Sequence, residues 1–278
     1  MGFLLLAIFS SSMISVMMRV SANRTSANLS VLVTNYFICS VLGAAFAGFE
    51  LVTPQIPGFS VTFWLGLISG VLYLTALVAF QSNTNKHGIV LSSVFMKLGL
   101  LVPIVMSVLV FREVPTVSQM AGFGIAVFAI VLINRKQEDG GKSFGFGLIV
   151  MLLLSGGADA MAKIFEVFVS GSLSALYLFY TFFTACTLCV VLVVRKQERP
   201  SWRELLYGTL IGVPNFFAAK FLLGALETLP AVVVYPSFSV GTMLVVTLTG
   251  VAVFRERLSR GQWIALAAIL TALILLNI

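Results

Sequence analysis

The chain has 278 residues, 59% of them hydrophobic and only 10% charged, where an ordinary soluble domain is about 25% charged. A soluble fold of this length could not hide so much apolar surface, so most of the chain is expected to have lipid as its solvent. The net charge of +7 would suit a nucleic-acid partner, but the placement of the basic residues, taken up below, excludes that class.

A bilayer core of ~30 Å is crossed by about 20 apolar residues of α-helix. The apolar runs are long and lack the alternation of a barrel strand. They predict an all-α integral membrane protein with ten transmembrane helices, at roughly 3–20, 29–48, 61–81, 88–110, 117–134, 144–168, 172–194, 204–226, 229–253 and 260–277. The connections are short, and each is numbered here by the span it follows. MGFLLLAIFSSSMISV has no basic stretch ahead of its apolar run, so it reads as span 1 and not as a cleaved signal. Leu6 stands where a myristoylation motif requires Ser or Thr.

Along the spans, few residues suggest chemistry. Cys39 lies in span 2, and Cys186 and Cys189 lie in span 7. The latter two have CxxC spacing without the histidine or second CxxC of a zinc site, so the expectation is packing and no metal. Gly66 and Gly70 form GxxxG in span 3, a mark of close helix contact. His87, the one histidine, sits at a loop edge in NTNKHG and cannot build a metal site alone. Span 4 contains SSVFMK (92–97) and span 9 contains YPSFSV (235–240). They offer Ser93, Phe95, Tyr235, Ser237, Phe238 and Ser239 as hydroxyls and aromatic faces, though helix packing explains any single one as well. In span 8, GVPNFF places Pro214, which frees a backbone carbonyl, beside Asn215.

Charges inside spans cost roughly 2.5–3.5 kcal/mol each on insertion scales and usually line a cavity or pathway. Five stand out: Lys97, Asp159, Lys163, Glu166 and Lys220. In GGADAMAKIFE, Asp159 and Lys163 are spaced i, i+4 and Glu166 is i+3 from Lys163, so the three share one helix face. At ~1.5 Å rise per residue, Asp159 lies about 22 Å into span 6 and Lys220 about 24 Å into span 8. The two spans start on the same side, so these residues are level and could pair. Lys163 and Glu166 fall near the end of span 6, as a structural pair or gate. Lys97 lies near the midplane with no acidic residue at its depth, which points to a substrate's anionic group.

Thirteen of the 17 Lys and Arg residues, from Arg19 to Arg260, fall on connections 1, 3, 5, 7 and 9. The positive-inside rule then puts the odd connections in the cytoplasm and both termini outside. The basic balance encodes orientation.

The chain also repeats itself. VFRE occurs at 110–113 and 253–256, an offset of 143 positions that also aligns Gln119 with Gln262 and Asn134 with Asn277. Thr116–Gln119 and Ser259–Gln262 share the form of a capping box. SMISVMMR, ending at Arg19, resembles SGGADAMAK, ending at Lys163, with one residue of slippage. Five spans is an odd number, so a second copy must enter the membrane inverted. The division is 1–134 and 144–278, joined by a polar linker at 135–143.

Two inverted five-helix halves are the architecture of a secondary transporter, with substrate bound near the midplane. The ten spans, the two halves and the acidic residue after spans 4 and 9 (Arg112-Glu113 in FREVPTVSQ, Arg255-Glu256 in FRERLSRGQ) resemble the drug/metabolite transporter superfamily, EamA type, over essentially the whole chain. The resemblance implies transport of a small metabolite or drug without naming it. Two features depart from that pattern: no basic residues precede span 1 or lie between spans 2 and 3, and Pro103 and Pro236 are not equivalent, because position 246 is Val.

The expected function is alternating-access transport of a small zwitterionic or anionic metabolite, such as an amino acid, across the cytoplasmic membrane. Substrate would bind at Lys97, Asp159, Lys220, Ser93, Phe95, Tyr235, Ser237, Ser239 and Asn215. A multidrug or cation exporter and a non-transporting scaffold or receptor subunit are the alternatives. No nucleophile–base pair, metal cluster or GxxxxGKS loop occurs, so no enzyme activity and no cofactor are expected. The partners are the substrate and the bilayer, and either a monomer or a homodimer would serve.

Overall fold

The computed structural model describes residues 1–22, 24–25, 28–48, 56–99, 101–110, 116–118, 120–122, 124–125, 146–169, 171–198, 201–229, 231–255 and eight positions between 263 and 275. These residues contain no strand. The helices are α1 (Gly2–Ala22), α2 (Asn28–Ala47), α3 (Phe59–His87), α4 (Ile89–Leu98), α5 (Leu101–Val110), α6 (Phe146–Phe168), α7 (Ser174–Lys196), α8 (Trp202–Leu226) and α9 (Ala231–Ala252). Among the described residues six helices, α1, α2, α3, α6, α7 and α8, are long and apolar enough to cross a membrane. This is the build of a multi-pass membrane protein. Most of spans 5 and 10, the 135–143 linker, Arg112, Glu113, Glu256 and both proposed capping boxes beyond Thr116 and Ser118 lie outside the described residues.

Two boundaries differ from the sequence reading. Span 3 was expected to end near 81, but α3 runs on through NTNKH to His87, which is half-buried and helical, not in a loop. Asn83 makes the polar extension tolerable by donating Nδ2 to Ala79 O at 2.8 Å and to Gly147 O of α6 at 3.1 Å. Gly88, at φ 85°, then ends the helix in a conformation suited to glycine. Span 4 was expected as one helix over 88–110, yet α4 stops at Leu98 and α5 starts at Leu101. Pro103 cannot donate to the carbonyl of Gly99, and its ring would clash there. The chain accommodates it with a tight turn in which Val102 N–H donates to Gly99 O at 2.8 Å, leaving the proline in the first turn of α5, where it is tolerated.

The helices pack in a definite set of pairs: α2 on α7, α1 on α8, α3 on α6, α3 on α7, α2 on α8, α1 on α9, and α4 on both α6 and α9. Small residues set the closest approaches. Gly66 and Gly70 of α3 lie against the backbone carbonyls of Tyr177 and Thr181 on α7. Gly208 and Gly212 of α8 lie against those of Val31 and Asn35 on α2. Two free thiols donate weakly between helices, Cys39 to Gly212 O at 3.2 Å across α2–α8 and Cys189 to Leu29 O at 3.5 Å across α2–α7.

A capping box that the sequence reading missed opens α8. Ser201 N–H donates to Glu204 Oε2 at 3.0 Å, and Arg203 N–H donates to Ser201 Oγ at 3.3 Å. From the same connection, Glu198 Oε2 accepts the N–H groups of Leu29 and Ser30, both at 3.1 Å, at the start of α2. A carboxylate there satisfies free N–H groups and complements the helix dipole. Glu198→Ala is therefore expected to cost about 1–2 kcal/mol, read as a lower thermal midpoint, with Glu198→Gln recovering part of it.

Candidate functional site

The helix pairs leave a central cavity of about 100 Å³ between α1, α3, α4, α6, α8 and α9. A water needs only about 10–15 Å³ measured this way, so the space holds several waters or a small metabolite. Ser11 and Ser15 (α1), Tyr73 (α3), Ser155 and Asp159 (α6), Asn215 (α8) and Ser239 (α9) provide the polar lining. Phe80, Met96 and Phe238 provide apolar faces.

Each polar group has a local reason for its position. Ser11/Ser15 and Ser155/Asp159 are i, i+4 pairs, so each pair lies on one helix face. Ser155 Oγ donates to Met96 O at 2.9 Å, which ties α6 to α4. Asn215 Nδ2 donates to Asn35 Oδ1 at 3.2 Å, and Asn35 is fully buried behind it. Tyr73 is held by its carbonyl, which accepts the Tyr36 hydroxyl at 2.9 Å, and by an edge contact with Phe182.

The lining positions are spaced at near-constant offsets along the sequence, although only two of the eight pairs, Ser11 with Ser155 and Ala76 with Ala218, are identical. Ser11, Ile14 and Ser15 on α1 have counterparts 144 positions later in Ser155, Ala158 and Asp159 on α6. Tyr73 and Ala76 on α3 correspond at 142 positions to Asn215 and Ala218 on α8. Leu77 and Phe80 correspond likewise to Ala219 and Leu222, and Met96 on α4 to Phe238 on α9. Ser239 is the remaining lining residue, and the same offset pairs it with Lys97.

Of the residues singled out from sequence, Asp159, Asn215 and Ser239 line the cavity. Lys220 does not. Its ammonium stands 3.0 Å from the centroid of the Phe46 ring on α2, a cation–π contact. The expected pairing with Asp159 thus gives way, because equal depth on two helices does not make them face each other. Lys163 Nζ donates to Glu166 Oε2 at 2.9 Å, a local pair within α6. Phe95 is fully buried in the core and Tyr235 is buried; neither lines the cavity, nor does half-buried Ser237. Arg255 is exposed just after α9. The side chains of Ser93 and Lys97 lie outside the described residues. Ser11, Ser15, Tyr73 and Ser155 were not anticipated, although the serine run at 10–12 and the i, i+4 spacing to Ser15 and to Asp159 were visible signals.

No protein-family model matches the chain. A protein of Haemophilus influenzae described only as uncharacterized is 25% identical over 295 residues, covering 97% of this chain and 95% of its own length. A crystal structure described only as that of a protein is similar over 98% of this chain and 94% of its own, with a TM-score of 0.64 and 16% identity. The fold is a known one. At that identity the likeness extends to the fold alone.

Chemically, the cavity offers one carboxylate, five hydroxyls and an amide among its described lining residues, beside two aromatic rings. Such a set can hold a small molecule carrying an ammonium group through Asp159, with further hydrogen bonds from the serines, Tyr73 and Asn215.

Proposed function

We propose that the chain is a secondary transporter of the EamA-type drug/metabolite class, made of two five-span repeats in opposite membrane orientation. The observation that carries this reading is the pairing of the cavity lining at near-constant offset. Eight lining residues of the first half correspond to eight of the second. Helix packing supports the same relation. Exchanging each helix for its counterpart turns the α1–α8 pair into α6–α3, α3–α7 into α8–α2, and α1–α9 into α6–α4. Gly66 and Gly70 likewise correspond at 142 positions to Gly208 and Gly212. Related halves around a central polar cavity suit alternating access, in which each half rocks against the other about a fixed site.

The substrate class best suited to the site is a small zwitterion such as an amino acid. Asp159 takes the ammonium group, and Lys97, the repeat counterpart of Ser239, supplies the cation for a carboxylate. The protein resides in the cytoplasmic membrane with its odd connections inside and both termini outside, as the placement of Lys and Arg favours. A cation exporter is the second reading. Two observations favour it: Asp159 is the one residue charged at neutral pH among the described lining residues, and an apolar groove of about 450 Å³ between α1 and α8 includes Ser10 and Pro214, the immediate neighbours of cavity residues Ser11 and Asn215.

The test is thermal stability of detergent-purified protein against amino acids, carboxylates, sugars, nucleotide sugars and lipophilic cations, with Lys97→Met alongside. A ligand at 100 times its dissociation constant adds about 2.7 kcal/mol. Zwitterions are expected to stabilise the wild type and not Lys97→Met. Stabilisation by lipophilic cations alone would favour the exporter, and an unchanged response of the variant would remove Lys97 from the site.

A further inference from the structure

A second polar layer lies one helical turn from the cavity, toward the odd-numbered connections. Each of its four residues is four positions from a residue that lines the cavity: Arg19 from Ser15 on α1, Gln81 from Leu77 and Thr84 from Phe80 on α3, and Ser92 from Met96 on α4. Positions i and i+4 share a helix face and lie about 6 Å apart along the axis. The helices α1 and α3 run toward connections 1 and 3, and α4 starts from connection 3, so all four displacements have the same sense. The layer continues the cavity walls.

Its chemistry is one-sided. Gln81, Thr84 and Ser92 are 6%, 1% and 0% exposed. Gln81 Nε2, Thr84 Oγ1 and Ser92 Oγ make no hydrogen bond, although nearly all buried polar atoms in folded proteins do. Arg19 brings a guanidinium to the same place, its Nη1 donating to Thr84 O at 3.5 Å. At the opposite end, the repeat offsets replace Arg19 by Lys163, Gln81 by Leu223, Thr84 by Leu226 and Ser92 by Val234. There Lys163 is answered by Glu166, and the other three are buried aliphatic side chains. Two layers related by the proposed repeat therefore differ: one is sealed with hydrocarbon, the other holds three buried polar groups, Gln81 Nε2, Thr84 Oγ1 and Ser92 Oγ, without hydrogen-bond partners.

We propose that Arg19, Gln81, Thr84 and Ser92 form a carboxylate-binding station between the central cavity and the odd-numbered connections. A guanidinium, an amide N–H and two hydroxyls can all donate, and an acceptor-only carboxylate satisfies them together. The station is closed in this structure and fills when that end of the bundle opens. As a stop on a transport pathway it rests on the transporter reading, but its binding chemistry can be measured without any flux.

Thermal midpoints would be titrated with sodium acetate against sodium chloride at equal ionic strength. The proteins are wild type, Ser92→Ala, Thr84→Val/Ser92→Ala and Lys97→Met. Without ligand, the double variant is expected to unfold at a higher temperature than wild type, because removing an unpartnered buried hydroxyl removes its desolvation cost. Acetate is expected to stabilise wild type and still to stabilise Lys97→Met, where the station alone is left to bind it, with an apparent affinity about tenfold weaker in the double variant, the scale of hydrogen bonds lost to a charged group. The station is overturned if acetate does not act on wild type, or acts equally on the double variant. It is also overturned if acetate acts through Lys97 alone, or if both hydroxyl variants unfold earlier than wild type. None of these results touches the transporter reading, which rests on the paired lining of the central cavity and is tested there by zwitterion binding.

Discussion

Asp159→Asn is expected to abolish zwitterion-dependent stabilisation and transport while the protein remains folded. Asparagine keeps the size and one acceptor of the carboxylate but not its charge. Truncating one partner of a desolvated, hydrogen-bonded charge pair costs about 2–5 kcal/mol, and 1.4 kcal/mol is tenfold in affinity. The expected loss is thus roughly thirtyfold or more, beyond the range of a ligand library at ordinary concentrations. The measurement is ligand affinity from thermal shifts, with the ligand-free midpoint as control for folding. Wild-type affinity in the Asn variant would remove the carboxylate from recognition and leave the cavity without its anchor. The paired lining supplies a second arm. Ser15 is the counterpart of Asp159 under the proposed repeat and lines the same cavity, so Ser15→Asp/Asp159→Ser moves the charge to the equivalent wall. Partial recovery of ammonium binding is expected, reduced because Tyr73 on α3 is answered by Asn215 on α8 and not by a second tyrosine.

The residues that were legible in the sequence, and those that were not, divide along one physical line. Hydrophobic run length gave the apolar helices, because crossing lipid fixes length almost independently of neighbours. Asp159 stood out because a charge in such a run is costly without a polar surrounding, and Asn215 because it stands beside Pro214, which frees a backbone carbonyl. Lys220 was misplaced for a related reason. Depth along a helix follows from residue number, but the direction a side chain faces depends on which helices pack against it, and α8 turns Lys220 toward Phe46 of α2. Ser11, Ser15 and Ser155 escaped notice because a serine in a membrane helix often bonds back to its own helix, as Ser12 Oγ does to Ile8 O at 2.8 Å, and composition does not separate such a serine from one facing a cavity. The break between α4 and α5 could have been read from Pro103, whose missing donor falls on Gly99.

The repeat is where sequence and packing inform each other most. The FRE motif alone suggests one offset of 143 positions, and most matching apolar residues add little. Under the proposed repeat, the cavity lining pairs at 144 for α1 with α6 and at 142 for α3 with α8 and α4 with α9. Shifts of one or two residues belong in connections, which bear length changes that helix faces do not. With the registers separated, the asymmetries become informative: Asp159 against Ser15, Lys97 against Ser239, and a donor layer at one end against aliphatic residues at the other. On the proposed transporter reading, a two-fold scaffold would supply the motion and departures from two-fold chemistry the selectivity.

That scaffold makes a second strong prediction. Gly70→Val and Gly212→Val are each expected to destabilise the protein severely and by similar amounts. A Cβ at Gly70 would stand 2.5 Å from Thr181 O and 2.6 Å from Thr184 Cβ on α7. At Gly212 it would stand 2.8 Å from Asn35 O and 3.0 Å from Ile38 Cβ on α2. In both cases the obstacle includes a backbone oxygen of a neighbouring helix, which cannot move aside by a change of rotamer. Overpacking a core costs about 1–3 kcal/mol when side chains can adjust; here two helices must separate along a seam that depends on small residues for close approach, so the upper end of that range or more is expected. Gly224→Ala is the control. Its Cβ would meet only the Phe3 ring at 3.6 Å, and replacing a helical glycine by alanine gains up to about 1 kcal/mol. Thermal or denaturant midpoints of the three variants measure these effects in one series. Equal, large losses at Gly70 and Gly212 beside a neutral or stabilised Gly224→Ala would mean that the α3–α7 and α8–α2 seams are energetic equivalents. A small loss at either glycine would mean that its seam can open, and the rocking of one half against the other would then have to be sought at that interface.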